Sequence, residues 1–590
     1  MSSLGMVLNI ASSALAAQKY AMDVTAQNIA NVNTEGYSRQ IPNLQAKQAI
    51  QYQGVILGLG VKTEQVTRSV DQFIENRLMQ EKSNLSSSQE MEKYMQVLES
   101  IFSENSETSI SSMLSDYWNL WNDVSNNPSG AVERTALYEH SVLISEQFKS
   151  LSPNLSQIQT DITNAVTTGV DRINKITSEI AQINVEIVGM EGNNNVANDL
   201  RDKRNVLVSE LNEYLDIKTF EQDNHSLTII AGRGCTLVQE DRNYELEMRG
   251  SKGDRVKWQD SGGNYVDITN YITNGKLGGW LDLRDNIISK YELDLDAMAK
   301  EFIWSVNQQH SQGVGLKLFE SGSTITGSYQ TDTDLGELEY GSEIQFIANG
   351  FNLWIEDRTD PANPTIDYVS VDLSGLNSSS SLSDLATAIN NQITGAGLTG
   401  ITVDGSGSAL SLIAGNNYAF GFSDENSNIL AALGVNTFFT GTGAGSIGLN
   451  AMLNDKDYIA AAQIDTDGSY ATGDNTNALA MTDLQYTSMD ISRWTCDRLN
   501  ENTEGTVTMT IEDYYHSMVA SIGIVSSSIS RETEFNEMMV NELNTLRNSV
   551  SAVSLDEEMT NIIKYQHAFQ AAAKLITISD EMLNTLISAR

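Results

Sequence analysis

Each end of this 590-residue chain carries a column of mainly apolar residues spaced alternately four and three apart. The first column is Leu4, Leu8, Ala11, Leu15, Gln18, Met22, Thr25, Ile29 and Val32, with only Gln18 and Thr25 polar. The second is Leu555, Met559, Ile562, Gln566, Phe569, Ala573, Ile576, Asp580, Leu583 and Ile587, with only Gln566 and Asp580 polar. This spacing predicts a helix at each terminus with a narrow coiled-coil seam. An isolated helix with so narrow a seam is marginal in water, so each needs a partner. The other terminus is one candidate, and docking of each helix on its own domain is the alternative. Asp556, Glu557 and Glu558 fall in the first turn of the second helix, where the helix dipole favours anions, and Lys574 and Arg590 lie toward its other pole.

The ends are electrically quiet. Residues 1–68 carry a net charge of +2 and residues 541–590 a net charge of −2, whereas the whole chain carries −41. Quiet ends suit a crowded setting where many copies meet, since like charges would repel there. The strong acidity argues against binding nucleic acid or an anionic membrane through a basic face. The first 18 residues hold no charge, and Ala14-Leu15-Ala16 resembles a signal-peptidase site. No basic residue precedes it, and Ser, Asn and Gly interrupt the apolar run, so a cleaved signal and a membrane span are both poor readings.

Between the first helix and Gln40 runs ANVNTEGYSRQ (Ala30 to Gln40). Asn31 and Asn33 tolerate a left-handed backbone, Gly36 permits it freely, and Thr34 is a turn former. The stretch reads as a helix stop and reversal, followed by an extended segment with Tyr37 as its aromatic anchor.

These features resemble the axial proteins of the bacterial flagellum: rod, hook and hook-associated proteins. The resemblance rests on the neutral, seamed first helix followed by NIANVNTEGYSRQ (Asn28 to Gln40). The end of the chain, SLDEEMTNIIKYQHAFQAAAKLITISDEMLNTLI (Ser554 to Ile587), is similar to the matching end of that family. DLRDKRNVLVSEL (Asp199 to Leu211), GKLGGWLDLRDN (Gly275 to Asn286) and GDNTNALAMTDLQ (Gly473 to Gln485) resemble one member more narrowly, the one between hook and filament. Glu35 departs from the proline usual in the family.

The resemblance implies a structural protein that polymerises by interlocking its terminal helices into the wall of a hollow tube. It implies residence outside the cell, on the flagellum, after type III export without a cleaved signal peptide. It also implies four kinds of partner: further copies of itself, hook protein, the second junction protein, and an export chaperone on the C-terminal helix. Another axial protein, hook or distal rod, is the nearest alternative.

The fold class expected is multidomain α+β, in three parts. Residues 1–45 with 546–590 form a terminal coiled-coil polymerisation domain. Residues 46–315 with 491–545 form a mainly helical domain with a β segment near 217–271. Residues 316–490 form an acidic, β-rich outer insertion of one or two subdomains. In the second part, Val166, Val170, Ile173, Ile176, Ile180, Ile183, Ile187 and Met190 recur every three or four residues and predict a long helix. Pro128 and Pro153 punctuate the helices, and Gly192-Asn193-Asn194-Asn195 breaks the last long one. Strands follow to Tyr271, and Leu281 to Gln309 returns to helix.

The insertion holds 22 acidic and three basic side chains, which fits a solvated surface. Runs such as Glu343 to Ile347 and Tyr368 to Val371 alternate like strands. Ser381 with Asp384 has capping-box spacing before a helix from Leu382 to Ile393.

Chemistry-bearing motifs are weak throughout. His140, His225, His310, His516 and His567 are scattered and match no zinc pattern. Gly441 to Gly445 lacks the ending of a phosphate loop and reads as a flexible loop. Asp465-Thr466-Asp467-Gly468 lacks calcium ligands at the required spacing and reads as a turn. Cys235 and Cys496 are too few for a disulfide framework or a metal cluster. No catalytic residue, cofactor site or metal site is nominated. An adhesin-like binding role for the insertion is a second class of function, and an enzymatic insertion a third with no motif behind it.

Overall fold

The computed structural model describes residues 2–588 apart from 53–54, 104–108, 192–195 and 251–252. The Gly192–Asn195 break and Arg590 lie outside the described residues. In chain order the helices are α1 (Ser2–Ala30), α2 (Gln72–Ile101), α3 (Ile110–Asn126), α4 (Ala131–Glu191), α5 (Asn198–Tyr214) and α6 (Gly275–Asp282). They continue with α7 (Ser289–Ser311), α8 (Leu382–Gly395), α9 (Ile429–Leu433), α10 (Thr476–Asp483), α11 (Ile511–Ser551) and α12 (Leu555–Ser588). The chain is multidomain α+β, and it divides into two compact units.

The first unit comprises residues 1–93, 162–283 and 527–590. Its core follows from the period of α4. Val166, Val170, Ile173, Ile176, Ile180, Ile183 and Ile187 are buried in one column, as the spacing requires, while Met190 is 60% exposed at the helix end. Besides a short hairpin of Ile50–Tyr52 with Val55–Leu57, three antiparallel sheets accompany the helices. One pairs Gln40–Ala46 with Val61–Arg68 and lies against α1. A second runs in sequence order through Ile217–Glu221, Leu227–Ala231, Cys235–Gln239 and Arg242–Asn243. In the third, Arg255–Gln259 lies between Leu246–Arg249 and Tyr265–Asp267. The GKLGGW run has a steric cause. A Cβ on Gly279 would stand 2.7 Å from the carbonyl oxygen of Ser87, so only glycine lets α6 approach α2 this closely. The next residue, Trp280, donates its indole N–H to Glu90 Oε2 at 2.9 Å.

The second unit comprises residues 94–161 and 284–526. Its core is aromatic: Tyr117, Trp118 and Trp121 of α3 meet Phe302 of α7 and the pair Phe438–Phe439 through mostly edge-on contacts. His310 is fully buried there. Its Nδ1 donates to the carbonyl of Asn436 at 2.8 Å, and its Nε2 accepts the Ala460 N–H at 3.0 Å. Burial pushes its pKa down to about 4. Within 316–490, Phe351–Asp357 is the centre of a sheet between Thr365–Val371 and Tyr418–Ser423. Helix α8 opens on Ser381, and the reciprocal bonds with Asp384 are both formed.

Side-chain amides join helices to strands in both units. Asn184 of α4 donates to the carbonyl of Leu227 at 2.9 Å and accepts its N–H at 3.0 Å. Asn174 brackets Leu246 in the same way, at 2.8 and 2.9 Å. In the second unit Asn307 brackets Phe439, Asn390 brackets Val403, and Gln392 brackets Asp372. Each amide presents one donor and one acceptor side by side, the pattern a neighbouring strand would offer, and so satisfies backbone groups that a short strand leaves open.

Several expectations need correction. Pro153 does not end a helix: α4 runs through it, at the cost of one backbone bond, with Phe148, Leu151, Leu155 and Ile158 buried on either side. Glu343 to Ile347 is not a strand, because Gly341–Glu343 forms a turn of 3-10 helix and Ile347 points toward solvent. The Gly441 to Gly445 loop is held rather than loose, with Ala444 buried and its N–H donating to Asp296 Oδ1 at 2.9 Å. Residues Leu283–Ile288 form a π-helical stretch that apolar periodicity does not reveal.

Candidate assembly interface

The two terminal helices pack against each other, α1 on α12, within the first unit. On α1 the buried side chains are Ala11, Ala17, Ala21, Val24, Thr25 and Asn28. Of the expected seam residues, Ala11 is buried, and Leu4, Leu8, Leu15, Met22 and Ile29 are half-buried at its margin. On α12, Glu558, Ala572 and Ser579 are buried, and Ile562, Tyr565, Phe569, Ala573, Ile576 and Leu583 are half-buried. Leu555, Met559 and Ile587 are exposed.

The covered column of α12 is thus 558-562-565-569-572-576-579-583, which shares four positions with the apolar column read from sequence and is one residue off at the others. Small side chains explain the shift. Ala17 and Ala21 on one helix and Ala572 and Ser579 on the other are buried, and larger apolar groups flank them. A second apolar column on α12, Leu575, Ile578 and Met582, is 49%, 40% and 54% exposed.

After α1 the chain reverses over residues 31–37. Thr34 N–H donates to the Asn31 carbonyl at 2.9 Å, and Tyr37 N–H to the Thr34 carbonyl at 3.2 Å. Gly36 alone in this stretch takes a left-handed backbone, with φ at +76°; Asn31 and Asn33 do not. A Cβ at Gly36 would also fall 2.2 Å from Val206 Cγ2 on α5, so the position is closed to other residues twice over.

Polar groups drawn from distant parts of the sequence clasp this turn. Asn28, buried on α1, donates to the Gln40 carbonyl at 2.9 Å and accepts the Gln40 N–H at 3.0 Å. The Tyr37 hydroxyl donates to the same Asn28 oxygen at 2.9 Å. Burial, and then the charges of Asp199, Asp202 and Glu558, raise the Tyr37 pKa well above the usual phenol range. Asp202 of α5 accepts from Ser38 N at 3.0 Å, Ser38 Oγ at 2.8 Å and Arg68 Nη1 at 2.9 Å. Asp199 accepts from Gln40 Nε2 at 3.0 Å. Arg39 pairs with Glu557 and Glu558 at the start of α12, both at 2.8 Å, and its N–H donates to the carbonyl of Ser551 at 2.9 Å. The acidic first turn of α12 is therefore an ion-pair partner as well as a match to the helix dipole.

Sequence reasoning passed over Asn28, Ser38, Arg39, Gln40, Arg68, Asp199 and Asp202 as site residues. One signal was available: Asn28 is a polar residue in the otherwise apolar column Ala17–Ala21–Val24. Among the described residues no three or more His, Cys, Asp or Glu side chains gather to hold a metal ion, and no helix is long and apolar enough to cross a membrane.

Known proteins share these parts. Residues 95–325 match the model of the flagellar hook-associated protein FlgK helical domain, 547–589 the flagellar basal body rod FlgEFG protein C-terminal model, and 8–37 the flagella basal body rod protein model. Flagellar hook-associated protein 1 of Bacillus subtilis is 24% identical, with 100% of this chain and 99% of the relative covered. The proteins of that name from Escherichia coli and Salmonella typhimurium are each 25% identical with both chains covered in full. The solved structure of the flagellar hook junction protein FlgK from Burkholderia pseudomallei shares the fold, with a TM-score of 0.52, 16% identity, and 81% of this chain and 100% of that chain covered. Terminal helix pair, reversal and helical body together define an axial protein of the bacterial flagellum. Within that class the chain is similar along its whole length to the flagellar hook-associated protein 1 relatives.

Proposed function

We propose that this chain is a structural component of the bacterial flagellum that polymerises through α1 and α12 to form the junction between hook and filament. The observation that carries the reading is the paired termini. Helices from opposite ends of the sequence lie side by side, are tied to the body by the clasp, and leave Leu575, Ile578 and Met582 of α12 uncovered. A helix pair with a spare apolar column gains further burial only from another molecule.

In this reading residues 1–45 and 546–590 form the polymerisation domain. Its contacts are Leu4, Leu8, Ala11, Leu15, Met22 and Ile29 with Leu555, Met559, Ile562, Phe569, Ala573, Ile576, Leu583 and Ile587. Asn31, Asn33, Thr34, Gly36 and Tyr37 form the turn that redirects the chain into the body. Residues 46–315 with 491–545, and the insertion 316–490, are carried by that domain. The partners are further copies of the chain, hook protein, the second junction protein, and an export chaperone that holds α12 before assembly. The protein acts outside the cell, has no catalytic role, and leaves by the flagellar export route without a cleaved signal peptide.

A strain lacking this chain tests the reading. It should build hooks without filaments and release flagellin into the medium. Loss of hooks altogether would contradict the junction role.

A further inference from the structure

Arg39 stands where the last two helices meet. α11 ends at Ser551 and α12 begins at Leu555. The Arg39 N–H donates to the Ser551 carbonyl at 2.9 Å, one of the carbonyls that a helix end leaves open. The Arg39 carbonyl accepts the Ser69 N–H at 2.8 Å, and the Ser69 hydroxyl donates to the Val550 carbonyl at 3.0 Å. The guanidinium crosses the corner to the first turn of α12, with Nε on Glu558 and Nη1 on Glu557. A residue just past the N-terminal reversal thus holds the end of one helix and the start of the next.

The three charges are unequally placed. The side chain of Glu558 is 3% exposed, that of Arg39 23% and that of Glu557 61%. Arg39 is the cation paired with Glu558 among the described residues. A buried carboxylate stripped of its cation is costly to keep out of water. A partly exposed guanidinium stripped of one carboxylate still has water and the other carboxylate. The pair is therefore lopsided: losing the arginine matters more than losing the glutamate.

We infer that Arg39 is the positioning residue of the assembly helix: it lets Glu558 enter the interior and so seats the first turn of α12 beside the reversal. The inference rests on the polymerisation proposed for α1 and α12, and names what aims α12 for that role. Without Arg39, Glu558 turns out to water, and the displaced first turn carries the 34-residue helix off its place on α1.

The test returns variants of the full chain to a strain that lacks it and counts hooks that bear filaments. The original chain should restore them. Arg39→Met should lower the count at least about tenfold, with the chain recovered from the medium as proof that it is made and exported. Arg39→Lys keeps the charge and should stay within about threefold of the original. Glu558→Met should do little, and R39M/E558M should regain most of what R39M loses, because no buried carboxylate is then left without a cation. R39M hooks as well filamented as the original, or a double variant no better than R39M, would overturn this inference alone. An original chain that restores no filaments would bring down the junction reading and this inference with it.

Discussion

The side-chain amide of Asn28 closes on the backbone of Gln40 from both sides, giving a hydrogen bond to its carbonyl at 2.9 Å and taking one from its N–H at 3.0 Å. Twelve residues separate the two in sequence, and the whole reversal lies between them. The bracket fixes where the first helix ends and where the extended segment begins. The Tyr37 hydroxyl shares the Asn28 oxygen, so a single buried amide orders the turn and its aromatic anchor together.

Asn28→Asp keeps the shape and the acceptor but loses the donor, and brings a charge close to Asp199 and Asp202. The loss should amount to about 1–3 kcal/mol in the local opening of the turn. Hydrogen exchange at the Gln40 amide reads it directly: exchange should speed up at least about fivefold, while the Leu227 amide, held by Asn184, keeps its original rate.

Gly36→Val meets two obstacles, a left-handed φ and the Val206 methyl. Adding Val206→Ala to the same chain removes only the second. The single variant should fail to enter the junction, and the double should regain at most part of that ability, because the backbone strain of about 1–2 kcal/mol persists. Fluorescence of labelled protein on hooks measures both.

Ile578→Asp places a charge in the uncovered column of α12. The side chain is 40% exposed, so the free chain should melt within about 1 °C of the original, as surface changes generally do. Assembly at the hook tip should be lost. A large fall in the melting temperature would mean that this column is already spoken for within one molecule.

His310 gives the second unit a pH dependence of known sign. Its folded pKa of about 4 lies below the ordinary 6.5, so the unfolded chain binds the proton first as the medium is acidified. The buried neutral ring is fully accommodated above pH 6.5, and stability falls between pH 6.5 and 4, by up to about 3 kcal/mol. Glu301 and Glu425 act in the opposite sense. Burial raises each to about 7, so both gain protons in the fold as the pH drops through that value toward 4.5. The His310 contribution is therefore isolated by comparison with His310→Gln. Urea unfolding at pH 7 and pH 5 should show the original losing more stability than the variant between the two.

What the sequence revealed and what it hid follow from range. Periodicity is local, so the buried column of α4 from Val166 to Ile187, the presence of a helix at α12 and the Ser381 cap were legible. The clasp was not, because its members are scattered: Ser38 and Asp202 are 164 residues apart, and Arg39 and Glu558 are 519 apart. DLRDKR stood out as a motif, yet nothing local says that Asp202 reaches Ser38 and Arg68. Pro153 was misread because its intrinsic effect is to break a helix, and only the buried neighbours Leu151 and Leu155 show why this helix continues. Within one molecule the covered column of α12 departs from the apolar one by one position at alternate turns, because Ala572 and Ser579 permit a close approach.

A map of the assembled hook–filament junction, at a resolution that shows side chains, bears most directly on the role given to the terminal helices. α1 and α12 should line the inside of the tube, with Leu575, Ile578 and Met582 of each copy buried against its neighbour. Terminal helices standing free of neighbouring copies, with those three side chains in water, would contradict it.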